Sequence, residues 1–74
     1  MSRLPNATPK EVVKALERGG FVRTSQKGSH LYLYHDGREV MTTVPMHPGD
    51  LPRWLLKKII KQAGFTEDEF RELL

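Results

Sequence analysis

Apolar and polar positions follow two periods along this chain, and the points where the period changes divide it into elements. Val12, Val13, Ala15 and Leu16 fit one helical face, with Lys10, Lys14, Glu17 and Arg18 on the other. Thr8-Pro9-Lys10-Glu11 is a strong start signal for that helix. Thr8 suits the N-cap, Pro9 the first helical position, and Glu11 the returning member of a capping box. Gly19-Gly20 ends it, so the pattern predicts a first helix over Pro9 to Arg18, after a short loose lead-in from Met1 to Ala7. The period then drops to two. Phe21 to Gln26 reads as a first strand, and Lys27-Gly28 as a turn. His30 to His35 is the clearest strand, with Leu31, Leu33 and His35 on one face and His30, Tyr32 and Tyr34 on the other. Asp36-Gly37 has the composition of a type I′ hairpin turn, and Arg38 to Val44 is a β-branched third strand stopped by Pro45.

Beyond the loop Met46 to Asp50 the helical period returns. Leu51, Leu55, Leu56, Ile59, Ile60 and Ala63 form an apolar stripe, with Asp50 as the expected N-cap and Gly64 as the C-cap. Arg53, Lys57 and Lys61 recur every fourth residue with Lys58 beside them, which reads as a basic ridge. Thr66-Glu67-Asp68-Glu69 is a second capping box, opening a short last helix anchored by Phe70, Leu73 and Leu74. The expected fold class is therefore α+β. Its order is α-β-β-β-α, with a three-stranded antiparallel sheet, helices on one face and a short extra C-terminal helix. Double-stranded-RNA-binding domains share that order, and fold alone does not assign an activity.

Composition narrows the picture. The 74 residues are expected to form a single domain, 1–74, and contain no cysteine, so neither a disulfide nor a thiolate metal site supports the core. A chain this short buries only about 60–65% of its unfolded surface, which leaves a thin stability margin. No apolar run approaches the roughly 18–20 residues of a membrane span, and the first residues lack the apolar centre of a signal peptide. The expected compartment is the cytoplasm, with no membrane partner. The net charge of +3 and the pI of about 9.5 favour a polyanion as partner, nucleic acid first.

Chemistry concentrates at Lys27-Gly28-Ser29-His30. An unperturbed imidazole titrates near pH ~6.5 and so exchanges protons at cell pH. Such a group can take the proton of a ribose 2′-hydroxyl, which then attacks the adjacent phosphate, and a positioned base is worth roughly 10²–10⁴-fold. Gly28 lets a backbone approach a phosphate, and Lys27 and Ser29 have donors for its oxygens. The plain alternative is a surface histidine beside a turn. Tyr32 and Tyr34 share the His30 face and suit base stacking or a protein interface equally well. Trp54 suits packing or an interface better than stacking on a base. Arg53, Lys57, Lys58 and Lys61 suit a phosphate backbone through counterion release, or simply a solvated helix face. His47, in a proline-flanked loop, is a candidate second proton carrier or an ordinary loop residue, and His35 reads as structural. The three histidines lack a zinc spacing, and Asp36, Glu39 and Asp50 form no clear magnesium cluster. No glycine-rich nucleotide loop is present either, so no metal and no small-molecule cofactor is expected.

Four pieces together carry a family likeness. They are Gly19-Gly20-Phe21, Lys27-Gly28-Ser29-His30, Thr43-Val44-Pro45 followed by His47, and Lys58-Ile59-Ile60-Lys61-Gln62-Ala63-Gly64. Over nearly its whole length the chain resembles the HicA family of small toxins, the mRNA interferases of toxin–antitoxin pairs. Family members often have a small pair such as Gly-Thr where this chain has Arg53-Trp54. The resemblance implies a double-stranded-RNA-binding-like fold that cuts mRNA without a metal. It implies His30 as the catalytic residue and a HicB-type antitoxin that covers the site. Two other classes fit the residues alone: a non-catalytic RNA-binding module, and a protein-interaction domain that uses the open sheet face.

Overall fold

The computed structural model describes residues 4–74. Its elements run α1 (Pro9–Arg18), β1 (Val22–Lys27), β2 (His30–His35), β3 (Val40–Pro45), α2 (Arg53–Ala63) and α3 (Glu67–Leu73). This is the α+β, α-β-β-β-α layout with an additional C-terminal helix. The sheet is an antiparallel meander in the order β1-β2-β3.

Both capping boxes form as the residue types dictate. The Thr8 N–H donates to Glu11 Oε1 at 2.8 Å, and the Glu11 N–H donates back to Thr8 Oγ1 at 3.3 Å. The same reciprocal pair joins Thr66 and Glu69 at 2.8 and 3.0 Å. Each box satisfies two backbone donors that the start of a helix leaves without partners. Helix α1 then buries Val12, Val13, Ala15 and Leu16, the stripe its period predicts.

The core lies between the helices and one sheet face. Leu31 and Leu33 of β2 point into it, paired across the sheet with Val44 and Thr42 of β3, and all four are buried. Leu56, Ile59, Ile60 and Ala63 of α2 and Phe70 of α3 close it from the other side. Strand β1 stands apart, because all six of its residues are exposed. It is held by pairing to β2, with a bulge between Arg23 and Ser25.

Four local expectations change. The lead-in is not loose where the structure describes it, since Leu4 and Ala7 are buried in the core; Met1 to Arg3 lie outside the described residues. Lys27 is the last residue of β1, paired with His30, so the turn between them is Gly28-Ser29. Gly28 at φ 59 takes the first central position, as a type II′ turn requires. The second hairpin is not a two-residue type I′ turn. His35 pairs with Val40, so Asp36 to Glu39 form a four-residue loop, and the left-handed residue is Glu39 at φ 55, not Gly37. Strand β3 consequently starts at Val40 rather than Arg38. Asp50 does not cap α2. Leu51 precedes a proline and is therefore biased away from helix. Its N–H donates instead to Ala7 O at 2.9 Å, its side chain is buried, and helical geometry begins only after Pro52.

Candidate nucleic-acid interface and active site

The sheet face turned away from the helices is uncovered. The strand registers place three rows across it: Lys27–His30–Pro45, Ser25–Tyr32–Thr43 and Val22–Tyr34–Met41. The face changes character along its length. Its His30 end is polar and basic. Its Tyr34 end is apolar, with Val22 and Met41 more than half exposed beside the half-buried tyrosine. The alternation of β2 therefore separates Leu31 and Leu33 from His30, Tyr32 and Tyr34 as the period requires.

His30 is exposed at the start of β2, beside the Gly28-Ser29 turn. The turn is held from two sides. Gln26 Nε2 donates to Gly28 O at 3.2 Å, and the Met46 N–H donates to Ser29 O. No side-chain hydrogen bond fixes the His30 ring among the described residues, so it is free to meet a ligand.

His30 also lines a cleft of about 280 Å³ at the edge of β3, shared with Thr43, Pro45, Leu55, Lys58, Ile59 and Gln62. The cleft contains an ammonium, an imidazole, a hydroxyl and a carboxamide, and no carboxylate lines it. Thr43 and Gln62 were not singled out as site residues from sequence. Gln62 stands twenty positions from Thr42, which donates to its Oε1 at 3.0 Å, and no local pattern signals such a pair.

The basic ridge of α2 divides. Lys58 turns to the His30 cleft. Arg53 Nη2 donates to Asn6 Oδ1 at 3.3 Å, and Lys57 Nζ stands 3.9 Å from Glu67 Oε2 on α3. Lys61 is exposed and has no ion pair among the described residues. Trp54, 68% exposed at the start of α2, does not pack into the core. His47 is exposed in the loop after β3 and lines a different cavity, with Thr8, Pro9, Lys10, Met46, Pro48 and Gly49. The structure therefore does not gather His47 and His30 into one cleft.

His35 belongs to the scaffold. Its Nδ1 accepts the Arg38 N–H at 3.0 Å, and its ring meets Phe21 edge-on with centroids 5.1 Å apart. Arg38 in turn donates to Gly64 O at 2.7 Å and lies over the Phe65 ring at 4.6 Å, tying the β2–β3 loop to the end of α2. These contacts fasten the C-terminal end of α2 to the sheet.

A family model described as the HicA toxin of bacterial toxin–antitoxin systems matches residues 9–65. The chain belongs to the HicA toxin family. The match spans α1, the whole sheet, α2 and the Gly64-Phe65 corner, so His30 and every residue of its cleft fall inside it. No curated protein matches the chain. Membership makes it a toxin of a toxin–antitoxin system, and a protein of that kind has an antitoxin partner. No helix of the described residues is long and apolar enough to cross a membrane.

Proposed function

We propose that this toxin is an endoribonuclease acting on mRNA in the cytoplasm, with His30 as its general acid/base, and that a HicB-type antitoxin neutralises it. The observation that carries the reading is the placement of an exposed imidazole beside Lys58 in a cleft that no carboxylate lines. Such a cleft attracts a phosphodiester and places a proton acceptor next to it.

In the proposed step, a His30 ring nitrogen takes the proton of a ribose 2′-hydroxyl. The 2′-oxygen bonds to phosphorus, the bond from phosphorus to the 5′-oxygen breaks, and that oxygen takes a proton from an acid or water. The products are a 2′,3′-cyclic phosphate and a free 5′-hydroxyl, and no metal is required. Lys27 at the end of β1 and the Gly28-Ser29 turn lie next to His30 and suit contacts to the neighbouring phosphates. Tyr32, one row further along the sheet, suits a base leaving the cleft. His47, given its separate cavity, would serve as proton donor only through an intervening group. Cleavage of RNA in EDTA by the wild type and by His30→Ala tests the reading.

The remaining cations then serve RNA affinity to different degrees. Lys61 is unpaired among the described residues, whereas the charge of Lys57 is partly offset by Glu67. Lys61→Ala is expected to lower the salt slope of RNA binding by about 0.7–1, the release expected for one phosphate contact. Lys57→Ala should lower it less. Equal slopes for both variants and the wild type, in titrations between low and moderate salt, would remove the helix from the RNA path.

The Tyr34 end of the open face supports an antitoxin contact rather than RNA. Exposed Val22 and Met41 flank the half-buried Tyr34 in one apolar cluster, and such clusters mark protein interfaces. Met41→Asp is expected to weaken antitoxin binding at least tenfold and leave RNA cleavage unchanged. Unchanged affinity for the antitoxin in calorimetry would place the partner elsewhere.

A further inference from the structure

We infer that Gln62 is a second catalytic residue, a donor to the non-bridging oxygens of the scissile phosphate, and that buried Thr42 positions it. The inference rests on the nuclease reading of the same cleft.

Thr42 is the one buried polar residue of the described core. It sits on the inner face of β3 between α2 and the sheet, opposite Leu33. A hydroxyl buried there needs an acceptor for its proton. Its partner is Gln62 Oε1, at 3.0 Å. This bond sets the orientation of the carboxamide, with oxygen toward Thr42 and nitrogen away from it. The two Nε2 hydrogens have no protein acceptor among the described residues, and Gln62 itself forms part of the cleft wall with His30, Thr43 and Lys58. Helix α2 thus presents two kinds of donor to the space beside the imidazole: the Lys58 ammonium and an amide whose flip is already decided. The two are four residues apart and so stand one turn above the other on the same side of α2.

This arrangement suits a transition state better than a ground state. When the 2′-oxygen attacks, negative charge builds on the non-bridging oxygens of phosphorus. Donors held in place before the reaction stabilise that charge without reorganising, and removing one such donor from an active site costs about 10²–10³-fold in turnover. A free glutamine side chain would have to be ordered at the moment of reaction. The Thr42 bond orders it beforehand, so a core residue that touches no substrate bears on the chemistry.

Gln62→Glu is the discriminating variant. It keeps an oxygen for Thr42 and replaces the amide hydrogens by an anionic oxygen facing the phosphate. Expected are a kcat lowered at least 100-fold, KM changed less than threefold and an unchanged melting temperature. Thr42→Val, which keeps the shape of the side chain and frees the amide, should lower kcat about tenfold. That loss should vanish in a Gln62→Met background, whereas a merely structural role for Thr42 would persist there. A second readout is independent of cleavage. Inorganic phosphate is titrated into the wild type and Gln62→Glu while the His30 ring protons are followed by NMR. Phosphate should shift them saturably in the wild type, with affinity at least tenfold weaker in the variant. An active wild type whose kcat and phosphate response are untouched by Gln62→Glu overturns the inference and leaves the nuclease reading standing. An inert wild type with a Gln62-dependent phosphate response overturns the nuclease reading and keeps the anion site. A wild type that neither cuts RNA nor answers to phosphate overturns both.

Discussion

His30→Ala is expected to abolish RNA cleavage, by roughly 10²–10⁴-fold or more, while RNA affinity falls less than about threefold. The two effects separate because they come from different parts of the surface. Affinity for a polyanion is summed over Lys27, Lys58, Lys61 and the other exposed cations, and one imidazole contributes little to that sum. Proton removal from the 2′-hydroxyl has no such redundancy, because His30 is the only histidine lining its cleft. The variant should also fold normally. His30 is exposed and makes no side-chain hydrogen bond among the described residues, so its truncation leaves neither a cavity nor an orphaned polar group. Activity is read on a long RNA in EDTA, affinity on an RNA with methylated 2′-hydroxyls, and folding by circular dichroism. Equal cleavage by variant and wild type would take His30 out of the mechanism. A well-folded wild type that binds RNA without cutting it would instead favour the RNA-binding module.

Gly20→Ala is expected to have the largest effect on stability, about 2–3 kcal/mol, through two causes that can be measured apart. Gly20 has φ +102, a conformation that side chains with a Cβ rarely adopt. A Cβ there would also lie 2.6 Å from His35 Nε2. That ring cannot simply swing aside, because Nδ1 holds the Arg38 N–H and its edge packs on Phe21. His35→Ala alone gives up those two contacts, at about 1–2 kcal/mol. In the double variant the collision is gone and only the backbone strain from the Gly20→Ala change remains. The two losses should therefore fall short of additivity by about 1 kcal/mol. Strict additivity in urea titrations would show that the ring is not what the new methyl group meets. For a domain of this size each 1 kcal/mol moves the melting temperature by roughly 4–8 °C, so Gly20→Ala should melt at least about 8 °C lower.

The parts of the fold legible from sequence were those set by neighbours in the chain. Both capping boxes lie within four residues and formed as read, and α1 and β2 have the boundaries their periods predict. The turns were less legible. Asp36-Gly37 has the composition of a tight hairpin, but its conformation is set by what Arg38 and His35 must reach. Arg38 spans to Gly64 and Phe65 and its N–H binds His35, contacts made from a four-residue loop. Asp50 failed as a cap for a similar reason, because Leu51 had a buried place and a backbone partner at Ala7 to satisfy first.

The same division runs through the candidate site. Alternation along β2 by itself put His30, Tyr32 and Tyr34 on one face and the leucines on the other, because a strand's side chains change sides at every residue. The helical period likewise put Arg53, Lys57, Lys58 and Lys61 on the solvated side of α2. Only the tertiary structure decided what those faces meet. The docking of α2 along β3 splits the ridge, turning Lys58 and Gln62 to His30 and leaving Lys57 beside Glu67. A helix's rotation about its own axis is chosen by the core it covers, here Leu56, Ile59, Ile60 and Ala63, and by the one bond from Thr42. Periodicity sorts residues into faces, and packing determines which face lies against which.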